Sequence, residues 1–466
     1  MVNKDEILLV IGGSDAGISA ALKAKELKPN LKVQVLLADE FPNLSICGLP
    51  YAVSGEVENW HSLAHRSLKE LEDTGIEFHM NTVVKKIQSR EHFVVARLND
   101  DTIQKYYYDK LIVATGAVPK LDSLAGLNLK RIEQKNSRIH VLHTMDDYFA
   151  IENELTSNSI KNIAIVGAGY IGIEMAEALQ RRQLNVTIFQ RGSEVLSTVD
   201  PDLGKIIHKK LVSNGIKVLT DLTVSEIKEN KTTVDIIGTD MRENNNVFSF
   251  DLALIVIGVK PNTDILVEAG AKTGVNGAIK VDNYMQTTLP DIWAAGDLVE
   301  TKHLLLDWTY LPLGTTSHKQ GRIAGFNVAG VPRSYKGSIG TQVLKVYDLV
   351  VARTGLLEKE AMNVGFTPLT VTTDVDDHKA YFPGSNRIKI KLTGDENTGK
   401  LLGAQLVGKY GSEVAKRNDI FATAIYNDMT VSNINDLDLS YSPPVGSPWD
   451  AIQLAAQNWE KNAFKK

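Results

Sequence analysis

Two strand–glycine–helix units, one beginning at residue 7 and one at residue 162, constrain this chain more than any other feature. In the first, the apolar run Ile7 to Ile11 enters Gly12-Gly13-Ser14-Asp15-Ala16-Gly17 and an alanine-rich helix, Ile18 to Leu27. A second strand, Val33 to Leu37, ends at Asp39-Glu40. This is the βαβ pattern that cradles a dinucleotide: Gly12 permits a tight turn, and the helix N-terminus faces the pyrophosphate. The terminal acid, Asp39 or Glu40, accepts ribose hydroxyls. Ser14 stands where the middle glycine of G-x-G-x-x-G is expected. The second unit is complete. Asn162 to Val166 leads into Gly167-Ala168-Gly169-Tyr170-Ile171-Gly172, a helix from Ile173 to Leu179, and the strand Val186 to Phe189. Its terminal acid is replaced by Gln190-Arg191. A carboxylate there suits NAD and repels the 2′-phosphate of NADP. A neutral amide beside an arginine removes that repulsion and adds a charge-assisted partner. The second unit is therefore expected to favour NADPH over NADH, the alternative being that Arg191 is a solvated surface charge.

The 466 residues allow about three domains. An apolar fraction of 43% and a charged fraction of 23% are those of an ordinary soluble protein. The net charge of -5, with no long basic run, gives no sign of nucleic-acid binding. The N-terminus passes almost directly into Ile7, which leaves no room for a signal peptide, and the most apolar run, Leu252 to Val259, is too short to span a bilayer. A cytoplasmic protein without a membrane or metal site is expected. Gly258, near the end of that run, is counted among the cofactor-binding positions. The single cysteine, Cys47, excludes an intrachain disulfide. Taken alone, such a residue reads as a small buried hydrophobe.

Two further segments narrow the choice. Ile112-Val113-Ala114-Thr115-Gly116-Ala117 closes a strand before the second unit, and Asp291-Ile292-Trp293-Ala294-Ala295-Gly296-Asp297 follows that unit. With the first glycine loop they resemble the FAD fingerprints of the flavin-dependent pyridine nucleotide–disulfide oxidoreductases, in order over essentially the whole chain. The resemblance implies an α/β protein with two Rossmann-like domains and a C-terminal α+β dimerisation domain. The FAD domain would be split (1–117 and 250–328) by an NAD(P) domain (118–249), with the dimerisation domain over 329–466. It also implies that Gly296-Asp297 meets the FAD ribityl chain, that Thr115-Gly116 turns close to the flavin nucleotide, and that the protein is a homodimer. Composition agrees with the last division. After Gly330-Val331-Pro332 the glycine loops stop, and alternating segments such as Arg387 to Leu392 and Leu401 to Val407 suggest an antiparallel sheet. Asp419 to Tyr426 and Pro448 to Trp459 read as helices.

Ser45-Ile46-Cys47-Gly48-Leu49-Pro50-Tyr51 is similar to the single-cysteine branch of that family, which holds coenzyme A-disulfide reductases, NADH peroxidases and water-forming NADH oxidases. With no second thiol, Cys47 must cycle between a thiolate and a mixed disulfide or sulfenic acid. A low-pKa thiolate is expected, stabilised by a helix N-terminus after it, with Gly48 letting the backbone approach the isoalloxazine. Peroxidase and oxidase members carry a histidine where Asp15 stands. An anion there is a poor substitute for that base, which counts against reduction of oxygen or peroxide. Tyr381-Phe382-Pro383-Gly384 and Ser440-Tyr441-Ser442-Pro443-Pro444 resemble the two tyrosine segments that coenzyme A-disulfide reductases contribute from the partner subunit. Tyr381 and Tyr441 would assist proton transfer; the plainer reading is half-buried interface residues. The stretch Val445 to Asp450 and the short link from Asp39 to Cys47 depart from that pattern. Lys23, Lys25, Lys28, His61, His65 and Arg66 are candidate partners for coenzyme A phosphates, against a solvated helix face. The expected function is electron transfer from NAD(P)H through FAD and Cys47 to a small disulfide or persulfide such as coenzyme A disulfide. An oxidase or peroxidase working through a Cys47 sulfenic acid, and a redox-responsive flavoprotein acting through a partner, remain open.

Overall fold

The computed structural model describes residues 6–125, 127, 132, 137–157 and 160–465. The chain begins with strand β1 (Ile7–Ile11), helix α1 (Asp15–Leu27) and strand β2 (Lys32–Leu36), followed by the short helix α2 (Leu49–Ser54), β3 (Ile76–His79) and β4 (Lys110–Val113). The second unit is β5 (Ile139–His140), β6 (Asn162–Val166), α3 (Tyr170–Arg181), β7 (Asn185–Phe189), β8 (Lys217–Leu219) and β9 (Leu252–Ile255). Then come β10 (Ile292–Ala294) and α4 (Gly314–Val328). The last third holds β11 (Gln342–Val346), β12 (Leu349–Gly355), β13 (Pro368–Asp376), β14 (Arg387–Asp395), β15 (Leu401–Lys409), α5 (Val414–Tyr426) and α6 (Ala451–Ala463).

The first sheet is parallel in the order β10-β4-β1-β2-β3. Its middle strand is covered on both faces, so Leu8, Leu9 and Val10 are fully buried and the run shows no polar alternation. The alanines of α1 have a packing reason. A Cβ on Gly321 of α4 would stand 2.1 Å from the Ala16 carbonyl oxygen, and one on Gly325 would stand 2.5 Å from that of Ala20. Only small residues let the two helices lie this close. Because β10 pairs with β4, residues on both sides of the second unit complete one sheet.

The second sheet is also parallel, in the order β8-β7-β6-β9-β5. It corrects one expected boundary. β9 lies beside β6, so the second unit continues past residue 249. Before β9 the chain makes an antiparallel excursion, Leu222–Glu229, Val234–Asp240 and Asn245–Phe250, which ends the βαβ pattern in sequence although the parallel neighbour of β6 is still to come. The chain leaves and re-enters the first domain through Ala117–Pro119 and Val259–Pro261, which pair antiparallel.

The third sheet is antiparallel, β11-β12-β15-β14-β13, with α5 and α6 packed on it. The helix expected from Pro448 begins at Ala451, because Asp450 is its N-cap and accepts the Ile452 backbone N–H at 3.1 Å. Among the described residues no helix is long and apolar enough to cross a membrane.

Candidate active site

Both glycine turns are built by close backbone approach. Gly12 has φ +105°, and a Cβ there would lie 2.2 Å from the Ala114 carbonyl oxygen; one on Gly17 would lie 1.9 Å from that of Gly12. The second turn repeats this, with Gly167 at φ +112° and a Cβ on Gly172 only 2.0 Å from the Gly167 oxygen. Gly169 is different. It has an ordinary φ of -81°, and, its chain neighbours aside, no atom of the described residues lies within 4 Å of where its Cβ would stand. Nothing in the protein demands glycine at the N-cap of α3, whereas a pyrophosphate approaching that helix end does. Gly116 and Gly258, with φ of +67° and +107°, likewise face open space. In the first turn Ser14 is the exposed N-cap of α1, and Gly13 is backed by Leu37, 2.3 Å from where a Cβ would stand.

Two carboxylates flank the first turn. Asp39 accepts the Phe41 backbone N–H at 2.9 Å, and Asp297 accepts the Ser317 hydroxyl at 2.7 Å. Burial pushes both carboxyls above their usual range. Ribose and ribityl hydroxyls are the donors such groups accept, so the residues present fit an FAD. Glu40 is exposed. The Thr115 hydroxyl is spent on the Asn262 carbonyl at 2.7 Å, which ties the two crossover segments together. At the second ribose position Gln190 donates its amide to the Glu194 carbonyl at 3.0 Å, while Arg191 and Ile171 are exposed.

Cys47 lies in a 3-10 turn, Ile46–Gly48, that runs straight into α2, so the helix after it is present. Its thiol is exposed, not a buried core group. Yet the expected low pKa is not found. Dense surrounding protein pushes the thiol up, and Asp15, Glu174 and Asp297 add to the rise. The three carboxylates come from both nucleotide-binding units. At Gly48 the missing side chain makes room for Leu63, whose Cδ2 would be 2.3 Å from a Cβ.

Several neighbours escaped the sequence reading. Tyr51, on α2, donates its hydroxyl to Glu174 of α3 at 3.1 Å. Burial pushes Glu174 up to about 7, Tyr51 opposing and Glu177 adding to the rise. Burial also raises Tyr170, a position the sequence had already given to the cofactor. The available signal was spacing, for Tyr170 and Glu174 share a helix face at i, i+4. Ser317 and His318, at the start of α4, had no such signal. His318 Nε2 lies 3.2 Å from Asp15 Oδ1, which brings an imidazole to the position where the loop lacks one.

The cation candidates divide. Lys25 is bonded to the Leu31 carbonyl at 3.0 Å, and Lys23 and Lys28 pair with Glu26 and Glu6. His61 stacks on Trp60, whereas His65 and Arg66 are exposed on the loop after Leu63. Tyr381 and Tyr441 are exposed on the third domain. The loops that carry them are clamped together. Arg417 donates to Asp450 at 2.9 Å, to the Ser412 carbonyl at 2.7 Å and to the Asp377 carbonyl at 2.6 Å.

The family model described as "Pyridine nucleotide-disulphide oxidoreductase" matches residues 7–321, and that of the corresponding dimerisation domain matches residues 341–451. The chain is 32% identical to "NAD(P)H coenzyme A polysulfide/persulfide reductase" of Pyrococcus horikoshii, over 98% of each protein. It is 30% identical to "NADH oxidase" of Lactococcus lactis subsp. cremoris, over 97% of this chain and 99% of that one. Among solved structures, reduced Bacillus anthracis CoADR-RHD superposes with a TM-score of 0.92 at 28% identity, covering 99% of this chain and 81% of that one.

Proposed function

Because the chain belongs to the pyridine nucleotide-disulphide oxidoreductase family, we propose that it uses NAD(P)H to reduce a small disulfide or persulfide of the coenzyme A type at Cys47. The observation that carries this reading is Cys47 itself: the one thiol of the chain, exposed, and flanked by carboxylates of both nucleotide-binding units. Gly12, Gly13, Ser14, Ala16, Gly17, Asp39, Glu40, Thr115, Gly116, Gly296 and Asp297 would hold FAD. Gly167, Gly169, Tyr170, Ile171, Gly172, Gln190, Arg191 and Gly258 would hold the nicotinamide nucleotide. FAD, when bound there, would supply the chemistry that carries a hydride's two electrons from the nicotinamide to sulfur.

The protein's own part is the sulfur chemistry. The Cys47 thiolate attacks one sulfur of the substrate; a bond forms to Cys47, the substrate S–S bond breaks, and the leaving thiolate takes a proton. Tyr441 and Tyr381 of the partner subunit stand to donate it. Two electrons then break the mixed disulfide, restore the Cys47 thiolate and release the second product as a thiolate, which takes a proton from solvent. Arg66, exposed on the loop after Leu63, is the cation left to meet the substrate's phosphates. The cytoplasm, where thiols stay reduced, suits this cycle. Arg191 favours NADPH, and a higher kcat/KM for NADH than for NADPH overturns that preference.

Oxygen or peroxide reduction through a Cys47 sulfenic acid is a second reading, supported by the NADH oxidase among the relatives. Intact-mass measurement of the purified enzyme separates the two: a thiol-sized adduct on Cys47 supports the first, added oxygen the second. NADPH consumption is followed in parallel with coenzyme A disulfide, peroxide and air. Cys47→Ser should abolish disulfide reduction while FAD stays bound, and unchanged disulfide reduction in that variant sinks the cysteine-centred mechanism.

A further inference from the structure

At the end of the α1–α4 pair, three side chains from separate parts of the chain converge. Asp15 opens α1, His318 lies in the second turn of α4, and His65 sits on the exposed loop after Leu63. One donor atom from each lies within 4.8 Å of the other two. His318 Nε2 is 3.2 Å from Asp15 Oδ1, and the His65 and His318 rings meet edge to face with centroids 6.2 Å apart. We propose that Asp15, His65 and His318 form a binding site for one divalent metal ion of the zinc class, open to solvent on its remaining side.

The donor set is the first reason. Two imidazoles and one carboxylate with a free fourth position are what zinc takes when it keeps a water or an exchangeable ligand. Zinc holds each donor at about 2.0–2.1 Å, so the donors need close by only about 1 Å. His65 can supply that movement, because it is exposed on a loop. Asp15 and His318 need little, since α1 and α4 are locked together where Gly321 meets Ala16.

The second reason is the outer contact of His318. Its Nδ1 is bonded to Ser19 Oγ at 2.9 Å. Metal-bound histidines carry such a bond on the nitrogen away from the ion, which holds the ring plane. Here it leaves Nε2 facing Asp15 and His65. Charge is the third reason. Asp15 is disfavoured as an anion by burial, and a cation held beside it would compensate that cost. The N-terminal ends of α1 and α4 oppose a cation, so the expected affinity is micromolar rather than nanomolar.

The site does not depend on which acceptor Cys47 reduces, and its test reads binding rather than turnover. Zinc is titrated into the FAD-loaded enzyme in a Cys47→Ser background, so that the thiol is no ligand, with a chelating dye as competitor. One zinc per chain is expected. His318→Ala and His65→Ala should each weaken it at least tenfold, and Ser19→Ala by about tenfold. His61→Ala, in the 3-10 turn Trp60–Leu63 just before that loop, should leave it unchanged. If His318→Ala loses FAD, His318→Gln replaces it. Absence of binding at micromolar zinc, or full affinity retained by His65→Ala or by the His318 variant, overturns the proposal and leaves a plain Asp–His ion pair.

Discussion

Glu174 puts a pH-dependent charge beside Cys47, because burial pushes its carboxyl up to about 7 and its ionised form holds the Cys47 thiol up. Above pH of about 7 the carboxylate forms and the thiol becomes harder to ionise; below about 6 it is neutral and the effect fades. Glu174→Gln should therefore speed alkylation of Cys47 several-fold at pH of about 8 and leave it unchanged near 6. Equal rates at both pH values would remove Glu174 from the account. The same rise acts on stability. A carboxyl whose folded pKa lies above its unfolded value contributes stability that is complete below about 4.5 and lost as pH rises through about 7. The glutamine variant should thus gain in melting temperature on the parent across that interval. Cys47 was legible in the sequence as the lone thiol. Its surroundings were not, because Asp15, Glu174 and Asp297 lie far from it along the chain.

Within the second glycine turn two residues of the same type do different work. A Cβ on Gly172 would collide with the Gly167 carbonyl oxygen at 2.0 Å, whereas one on Gly169 meets, its chain neighbours aside, no atom of the described residues. Gly172→Ala should then cost about 2–4 kcal/mol of stability, read as a lowered melting temperature. Gly169→Ala should melt like the parent but raise KM for the nicotinamide nucleotide. If the two variants melt alike, the assignment of Gly169 to the ligand and Gly172 to the fold is wrong. Both βαβ units could be read from the sequence because their signals are local: an apolar run, a glycine turn and an amphipathic helix in immediate succession. β9 was placed with the wrong domain for the opposite reason, since its partner β6 is separated from it by an antiparallel excursion.

Whether one chain suffices is a matter for the whole molecule. Tyr381 and Tyr441 stand on the third domain, which matches the family's dimerisation domain and is clamped by Arg417. If Tyr441 serves the Cys47 of its partner, Cys47→Ser and Tyr441→Phe chains refolded together should regain activity. At equal mixing about a quarter of the parent sites would be whole. No gain over the separate variants would place Tyr441 outside the reaction. By itself the sequence determined the family, the two glycine turns and the single thiol, because each rests on neighbouring residues or on the count of one cysteine. Only the tertiary structure decided that Cys47 sits among carboxylates, that Gly48 yields its space to Leu63, and that His318 and His65 gather at Asp15. These outcomes depend on contacts between residues remote in the chain, which packing creates and local pattern does not record.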